Sequence, residues 1–187
     1  MNSPPASRSL DASRILSVAV LVAALGACRE PSSRAEASGT YDADGKLRLV
    51  TYDRNGNGRP DAWAEMDGTR LVRVEIDQNE DGVIERREYY DTRQALEKVE
   101  LSTRSDGKIT RTEFYDRGVL VRAEQDADGN GAVDRWETYA DGQVRSVAFD
   151  LESAGRPTRR LVYGGEGELV RVEAGDNLAS RAVQVKR

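Results

Sequence analysis

Three stretches of this chain place an oxygen-bearing side chain at every second position, then a glycine, then an acid three residues on. The first holds Asp53, Asn55 and Asn57 before Gly58, with Asp61 at its ninth position. The second holds Asp77, Asn79 and Asp81 before Gly82, with Glu85 ninth. The third holds Asp126, Asp128 and Asn130 before Gly131, with Asp134 ninth. In a tight loop, alternate Asp and Asn oxygens converge on one point. The glycine permits a sharp turn, the next backbone carbonyl adds a ligand, and the acid at position 9 closes the set. Every candidate ligand is a hard oxygen, which suits Ca2+ and not zinc or copper. The chain has no histidine, so the commonest general base and the commonest transition-metal ligand are both missing. The competing reading is turn chemistry alone, with the same side chains capping their own backbone.

These loops resemble the first nine positions of an EF-hand-type calcium loop. Two further turns share the spacing but have lost ligands: Arg104 stands at position 3 of 102–110, and Ala154 at position 5 of 150–158. Their ninth residues are Thr110 and Thr158. The acid at position 9 thus occurs only where positions 1, 3 and 5 are intact, as shared coordination requires. Glu88 and Glu137 fall at position 12, where an EF-hand has its bidentate glutamate. They are set aside, because Glu113 holds the same place behind a decayed loop. The chain there also reads as extended, which puts position 12 roughly 13 Å away. Two or three carboxylates without that ligand imply a weak site, about 10⁻⁴–10⁻³ M.

The loops recur because the chain itself recurs. Glycines at 58, 82, 107, 131 and 155 are 24 or 25 residues apart, as are Tyr41, Met66, Tyr90, Tyr115, Tyr139 and Tyr163. Each unit carries two runs of period 2. In Leu71–Ile76, Val72, Val74 and Ile76 share one face, and Arg73 and Glu75 the other. In Arg135–Tyr139, Arg, Glu and Tyr share a face opposite Trp and Thr. Asp141-Gly142 and Arg117-Gly118 are hairpin turns. Alternation, β-branched and aromatic residues, and turns every 8 to 12 residues exclude helix. The fold class is therefore all-β: a repetitive antiparallel hairpin meander over 40–187, roughly a dozen short strands in an elongated twisted sheet or solenoid, after an N-terminal signal helix. The tyrosines should form a packing ladder. Phrases such as Tyr41-Asp42-Ala43-Asp44-Gly45-Lys46-Leu47 resemble the MORN-variant and YD-type hairpin repeats of bacterial envelope and secreted proteins. That resemblance implies a scaffold or binding surface and no catalytic residues.

The N-terminus supplies an address. Ile15–Ala27 is a short apolar run behind Arg8 and Arg14, too short to span a bilayer at about 20 residues but suited to a signal-peptide core. Leu25-Gly26-Ala27-Cys28 resembles a bacterial lipobox, and Cys28 is the only cysteine. The organisation expected is a lipoprotein signal peptide at 1–27, a lipidated Cys28 opening a flexible tether at 28–39, and the repeat domain at 40–187. Removing 1–27 takes away Arg8, Arg14 and Asp11 and moves the net charge from −5 to −6. Acids and bases are interspersed, so the basic stripe of a nucleic-acid binder is missing. Arg29 after the lipid site, in place of aspartate, points to the outer membrane of a Gram-negative bacterium. The function expected is a lipid-anchored envelope module, stabilised by calcium and working through its surface on an envelope protein or glycan partner. The alternative is a tandem EF-hand calcium sensor with helices flanking the loops. The acids fall in repeat columns and form no distinctive pair, so an enzyme is not expected.

Overall fold

The structure is a computed structural model describing residues 36–175 and 182–184, with the side chains of 36–175 placed. Cys28, the lipobox and residues 1–35 lie outside the described residues.

Among the described residues thirteen strands follow one another: β1 Glu36–Tyr41, β2 Leu47–Asp53, β3 Ala62–Asp67, β4 Arg70–Ile76, β5 Arg86–Tyr90, β6 Leu96–Leu101, β7 Arg111–Asp116, β8 Val119–Gln125, β9 Arg135–Ala140, β10 Gln143–Phe149, β11 Arg159–Tyr163, β12 Leu169–Ala174 and β13 Ala182–Gln184. They form a single sheet in sequence order, and the pairings are antiparallel throughout. The all-β hairpin meander read from the period-2 pattern is the observed fold. β1 differs from expectation at one point. It begins at Glu36, so 36–39 belong to the sheet and not to the tether. Its residues are exposed and aperiodic, and the backbone ladder to β2 holds them (Ala37 opposite Tyr52, Gly39 opposite Val50).

Among the described residues no second layer covers the sheet, and the register explains how it stands. On one face, a central row runs Val50, Ala64, Val74, Glu88, Val99, Glu113, Ala123, Glu137, Val147, Leu161, Val172, each directly opposite the next. Small apolar side chains therefore flank each glutamate. Val99, Ala123 and Val147 are buried there, with Ala148 on the other face. Each glutamate lies between an Arg two residues before and a Tyr two residues after. Arg86 Nε donates to Glu88 at 2.6 Å and the Tyr90 hydroxyl donates to it at 2.6 Å. Arg111 and Tyr115 hold Glu113 at 2.9 Å each. Arg111 also crosses over Ala123 to reach Glu137 at 2.8 Å. Burial pushes Glu88 and Glu137 up, but these donors outweigh it and hold both below the usual carboxylate range. Burial and the neighbouring carboxylates push Tyr90 and Tyr115 up to about 12. The tyrosine ladder is thus a hydrogen-bonded column. The position-12 glutamates belong to it and not to the loops.

The opposite face carries Glu65–Arg73–Glu75–Arg87 ion pairs. It also stacks Lys98 over Tyr89 at 4.0 Å and Arg122 over Phe114 at 3.4 Å. Long cationic stems cover apolar surface while their heads stay wet, as a sheet exposed on both faces requires. Short turns close one margin of the sheet. Arg117-Gly118 and Asp141-Gly142 have φ of 50° and 78°, and 53° and 74°, the paired positive angles of a two-residue hairpin turn. The nine-residue loops therefore all emerge at the other margin.

Candidate metal-binding loops

The backbone ladder does not stop at the strands. In each loop the position-9 carbonyl accepts the N–H of position 1 of the next loop. Asp77 donates to Asp61 (2.9 Å), Ser102 to Glu85 (2.7 Å), Asp126 to Thr110 (2.8 Å) and Asp150 to Asp134 (2.8 Å). Five loops are stitched into one row.

Within each loop the local sequence dictates a shared frame. Position 1 caps the turn. Asp53 accepts from Gly56 and Gly58 (2.7 Å each), Asp77 from Glu80 (2.6 Å) and Gly82 (2.8 Å), and Asp126 from Gly129 (2.6 Å) and Gly131 (2.8 Å). Positions 3 and 5 each accept the amide two residues on. Asn55 and Asn57 do so, as do Asn79 and Asp81, and Asp128 and Asn130. Burial pushes Asp126 up, but its backbone donors outweigh it and hold it below the usual range. In the decayed loops, backbone N–H groups hold Asp106 and Asp150 low in the same way.

Position 9 is the informative one. Asp61 accepts the Arg54 amide at 3.1 Å, Glu85 the Gln78 amide at 2.7 Å, and Asp134 the Ala127 amide at 3.1 Å. Thr110 and Thr158 accept the equivalent amides of Thr103 and Leu151, both at 3.1 Å. The loop therefore needs an oxygen at position 9 but not a charge.

Both oxygens of Asp134 accept amides of its own loop, whereas in Glu85 the frame leaves one oxygen over. One carboxylate oxygen each from Asp77, Asp81 and Glu85 lie within 4.8 Å of one another, and so do those of Asp126, Asp128 and Asp134. Glu85 is 2% exposed and its Oε1 has no hydrogen-bond partner. A buried carboxylate oxygen without a donor costs several kcal/mol in general. A hard divalent cation would satisfy it, so these residues fit the ion their types imply. The first loop has only two carboxylates, Asp53 and Asp61, and both are buried.

Two residues that the motif does not mark join neighbouring loops. Glu80, at position 4 of the second loop, accepts Nδ2–H bonds from both Asn55 and Asn57. It has φ 63°, where Gly56 and Gly129 hold 71° and 79° in the other acidic loops. A side chain in that conformation costs roughly 1–2 kcal/mol. Arg104 donates to the Ala127 carbonyl at 2.8 Å. Its guanidinium also lies 1.6 Å from where a Cβ on Gly129 would sit, so that glycine serves both the turn and the arginine. The visible signal for Glu80 was a long acid in a column otherwise filled by Gly and Ser. Arg104 was visible only as a lost ligand.

No protein-family model matches the chain, and no curated protein matches it. The sheet is similar to part of two solved structures. One is the crystal structure of accessory secretory protein 1, 2 and 3 in Streptococcus pneumoniae: 13% identity, 61% of this chain, 19% of that one, TM-score 0.31. The other is the crystal structure of a GtfA/B complex bound to UDP and GlcNAc: 12% identity, 75% of this chain, 24% of that one, TM-score 0.30. The chain thus spans a quarter or less of these two structures, and likeness this loose carries no activity across.

Strands, not helices, flank every acidic loop among the described residues. A tandem EF-hand sensor needs helices there, so that alternative falls away.

Proposed function

We propose that this chain is a lipid-anchored module of the bacterial envelope whose β-hairpin sheet is stiffened by calcium in its acidic loops and acts through its surface. One observation carries the calcium reading: Thr110 and Thr158 make the same backbone bond as Asp61, Glu85 and Asp134. The acids of the intact loops therefore exceed what turn chemistry needs, and in Glu85 the excess oxygen is buried and unpartnered. The anchor rests on the lipobox-like residues ending at Cys28. The scaffold role rests on the repeated hairpins and their resemblance to MORN-variant and YD-type repeats. The partner expected is an envelope protein or glycan.

Calcium in the millimolar range should raise the melting temperature of the full chain, by about one kcal/mol of stability per occupied site. The same melting temperature in calcium and in EGTA would remove the calcium reading. In a Gram-negative host, wild type should take up labelled palmitate and enter the detergent phase, and Cys28→Ser should do neither. Wild type recovered water-soluble and unlipidated would remove the anchor.

A further inference from the structure

We propose that calcium fills the 77–85 loop first, because side chains reaching across from neighbouring loops hold back the other two. The proposal rests on the calcium reading above and adds an order to it.

In the first loop, Asn55 and Asn57 have one side-chain oxygen each, and each is spent on a backbone amide at 3.0 and 2.8 Å. Their Nδ2 groups, which cannot ligate a cation, are held in place by Glu80, whose two oxygens accept them. Asp53 is capped on both oxygens by amides of its own loop, as Asp77 is, and Asp61 accepts the Arg54 amide with the Arg54 guanidinium 3.7 Å away. An ion there must first displace the Glu80 bridge.

In the 126–134 loop the obstacle is a charge. Arg104 donates to the Ala127 carbonyl and packs on Gly129. A guanidinium fixed beside this acidic loop opposes a further cation there through simple Coulomb repulsion.

The 77–85 loop has neither obstacle. Its carboxylates are bonded by its own backbone amides and by Asn79, whose Nδ2 meets Asp81 Oδ2 at 3.0 Å. Asp81 has two oxygens where Asn57 has one, so Oδ2 can turn to an ion while Oδ1 keeps the Val83 amide. Glu85 Oε1 is buried and already free of any donor. The loop opens on a cleft of about 260 Å3 whose lining includes Arg59, Trp63, Asp77, Glu80 and Asp81; among the described residues Arg59 makes no ion pair with these acids, and the cleft gives an ion a way in with an indole on the same wall.

The test is calorimetric titration of the full chain in detergent with calcium, together with terbium luminescence excited through tryptophan. Wild type should take up one ion ahead of the rest, and Trp63→Phe should remove most of the luminescence of that first ion. Glu85→Gln keeps an acceptor for the Gln78 amide and should weaken the first step about tenfold or more. Asp81→Asn, at an exposed position, should do likewise and covers the case in which the first variant does not fold. Arg104→Gln should leave the first step alone and strengthen a later one, roughly threefold to tenfold. If Asp126→Asn with Asp134→Asn abolishes the first step while Glu85→Gln and Asp81→Asn leave it, the order is wrong and the calcium reading stands. If wild type takes up no calcium, the calcium reading falls and the order with it.

Discussion

The loops 77–85 and 102–110 are adjacent, equal in length and built on the same backbone frame, yet one is acidic and the other nearly neutral. In the first, Asp77 caps with a carboxylate; in the second, the Ser102 hydroxyl accepts the Asp106 amide at 3.2 Å. Glu85 and Thr110 each take the amide of position 2, and both are almost fully buried, at 2% and 5% exposure. Thr110 also shares a 2.7 Å bond with the Thr103 hydroxyl, so its one side-chain oxygen has two partners. Glu85 keeps an oxygen with no donor. The comparison separates two roles that a single loop confounds. Neutral oxygens suffice to shape the turn. The carboxylates add negative charge and a buried vacant acceptor, which oppose folding unless a cation meets them.

Both loops sit on strands with the same Arg–Glu–Tyr column, which gives a control with the largest expected effect. Tyr90 stands behind the acidic loop and Tyr115 behind the neutral one. Both are raised to about 12, first by burial and then by a carboxylate partner. A tyrosine raised in the folded state stabilises fully below its unfolded value near 10. That stability is lost as pH rises through the folded value near 12. Alkaline unfolding followed by tyrosinate absorbance should therefore set in above pH 10, and calcium should raise its midpoint only by the stability it adds to the fold as a whole. A calcium shift larger than the calorimetric gain accounts for would tie the column to the loops and spoil the control.

Within the loops, Asp77→Ala strips the caps from the Glu80 and Gly82 amides and should cost about 2–3 kcal/mol in urea unfolding with EGTA present. Thr110→Val leaves the Thr103 amide without its acceptor and should cost about 1–2 kcal/mol, equally with and without calcium. A calcium-dependent cost at Thr110 would mean that the neutral loop also binds. The smallest effect belongs to Asp106→Ala. It should cost no more than about 1 kcal/mol for its single well-made bond to the Lys108 amide and leave the calcium response untouched.

The meander was legible because its period is short and its alternation clean. The column that places Tyr90, Tyr115 and Tyr139 on one face also fixes Glu88, Glu113 and Glu137 beside them. The nine-residue loops were legible because Asp-x-Asn spacing forces one backbone path. Strand β1 was not, since Glu36–Gly39 has no alternation and no apolar residue larger than Ala37, and it joins the sheet through the backbone ladder to β2. The bridges from Glu80 and Arg104 were hidden for another reason. They join residues 23 to 25 positions apart, and whether a side chain reaches back or forward along the row depends on the stagger of neighbouring loops, which a linear motif does not carry. Position 9 was legible only in part. The coincidence of acids there with intact positions 1, 3 and 5 pointed to shared coordination, but not to the second task of that residue, closing the turn, which Thr110 and Thr158 perform without charge.

The direct test of that distinction is Glu85→Thr, which gives the acidic loop the ninth residue of its neutral neighbour, with melting of the full chain measured by calorimetry in EGTA and in 5 mM calcium. The account predicts that the variant melts in EGTA at or above the wild-type temperature, because a buried vacant carboxylate oxygen has been removed. It also predicts that the variant loses the part of the calcium-induced rise owed to the 77–85 loop. A variant that is markedly less stable in EGTA yet keeps the whole calcium-induced rise would show that Glu85 serves the turn and not an ion.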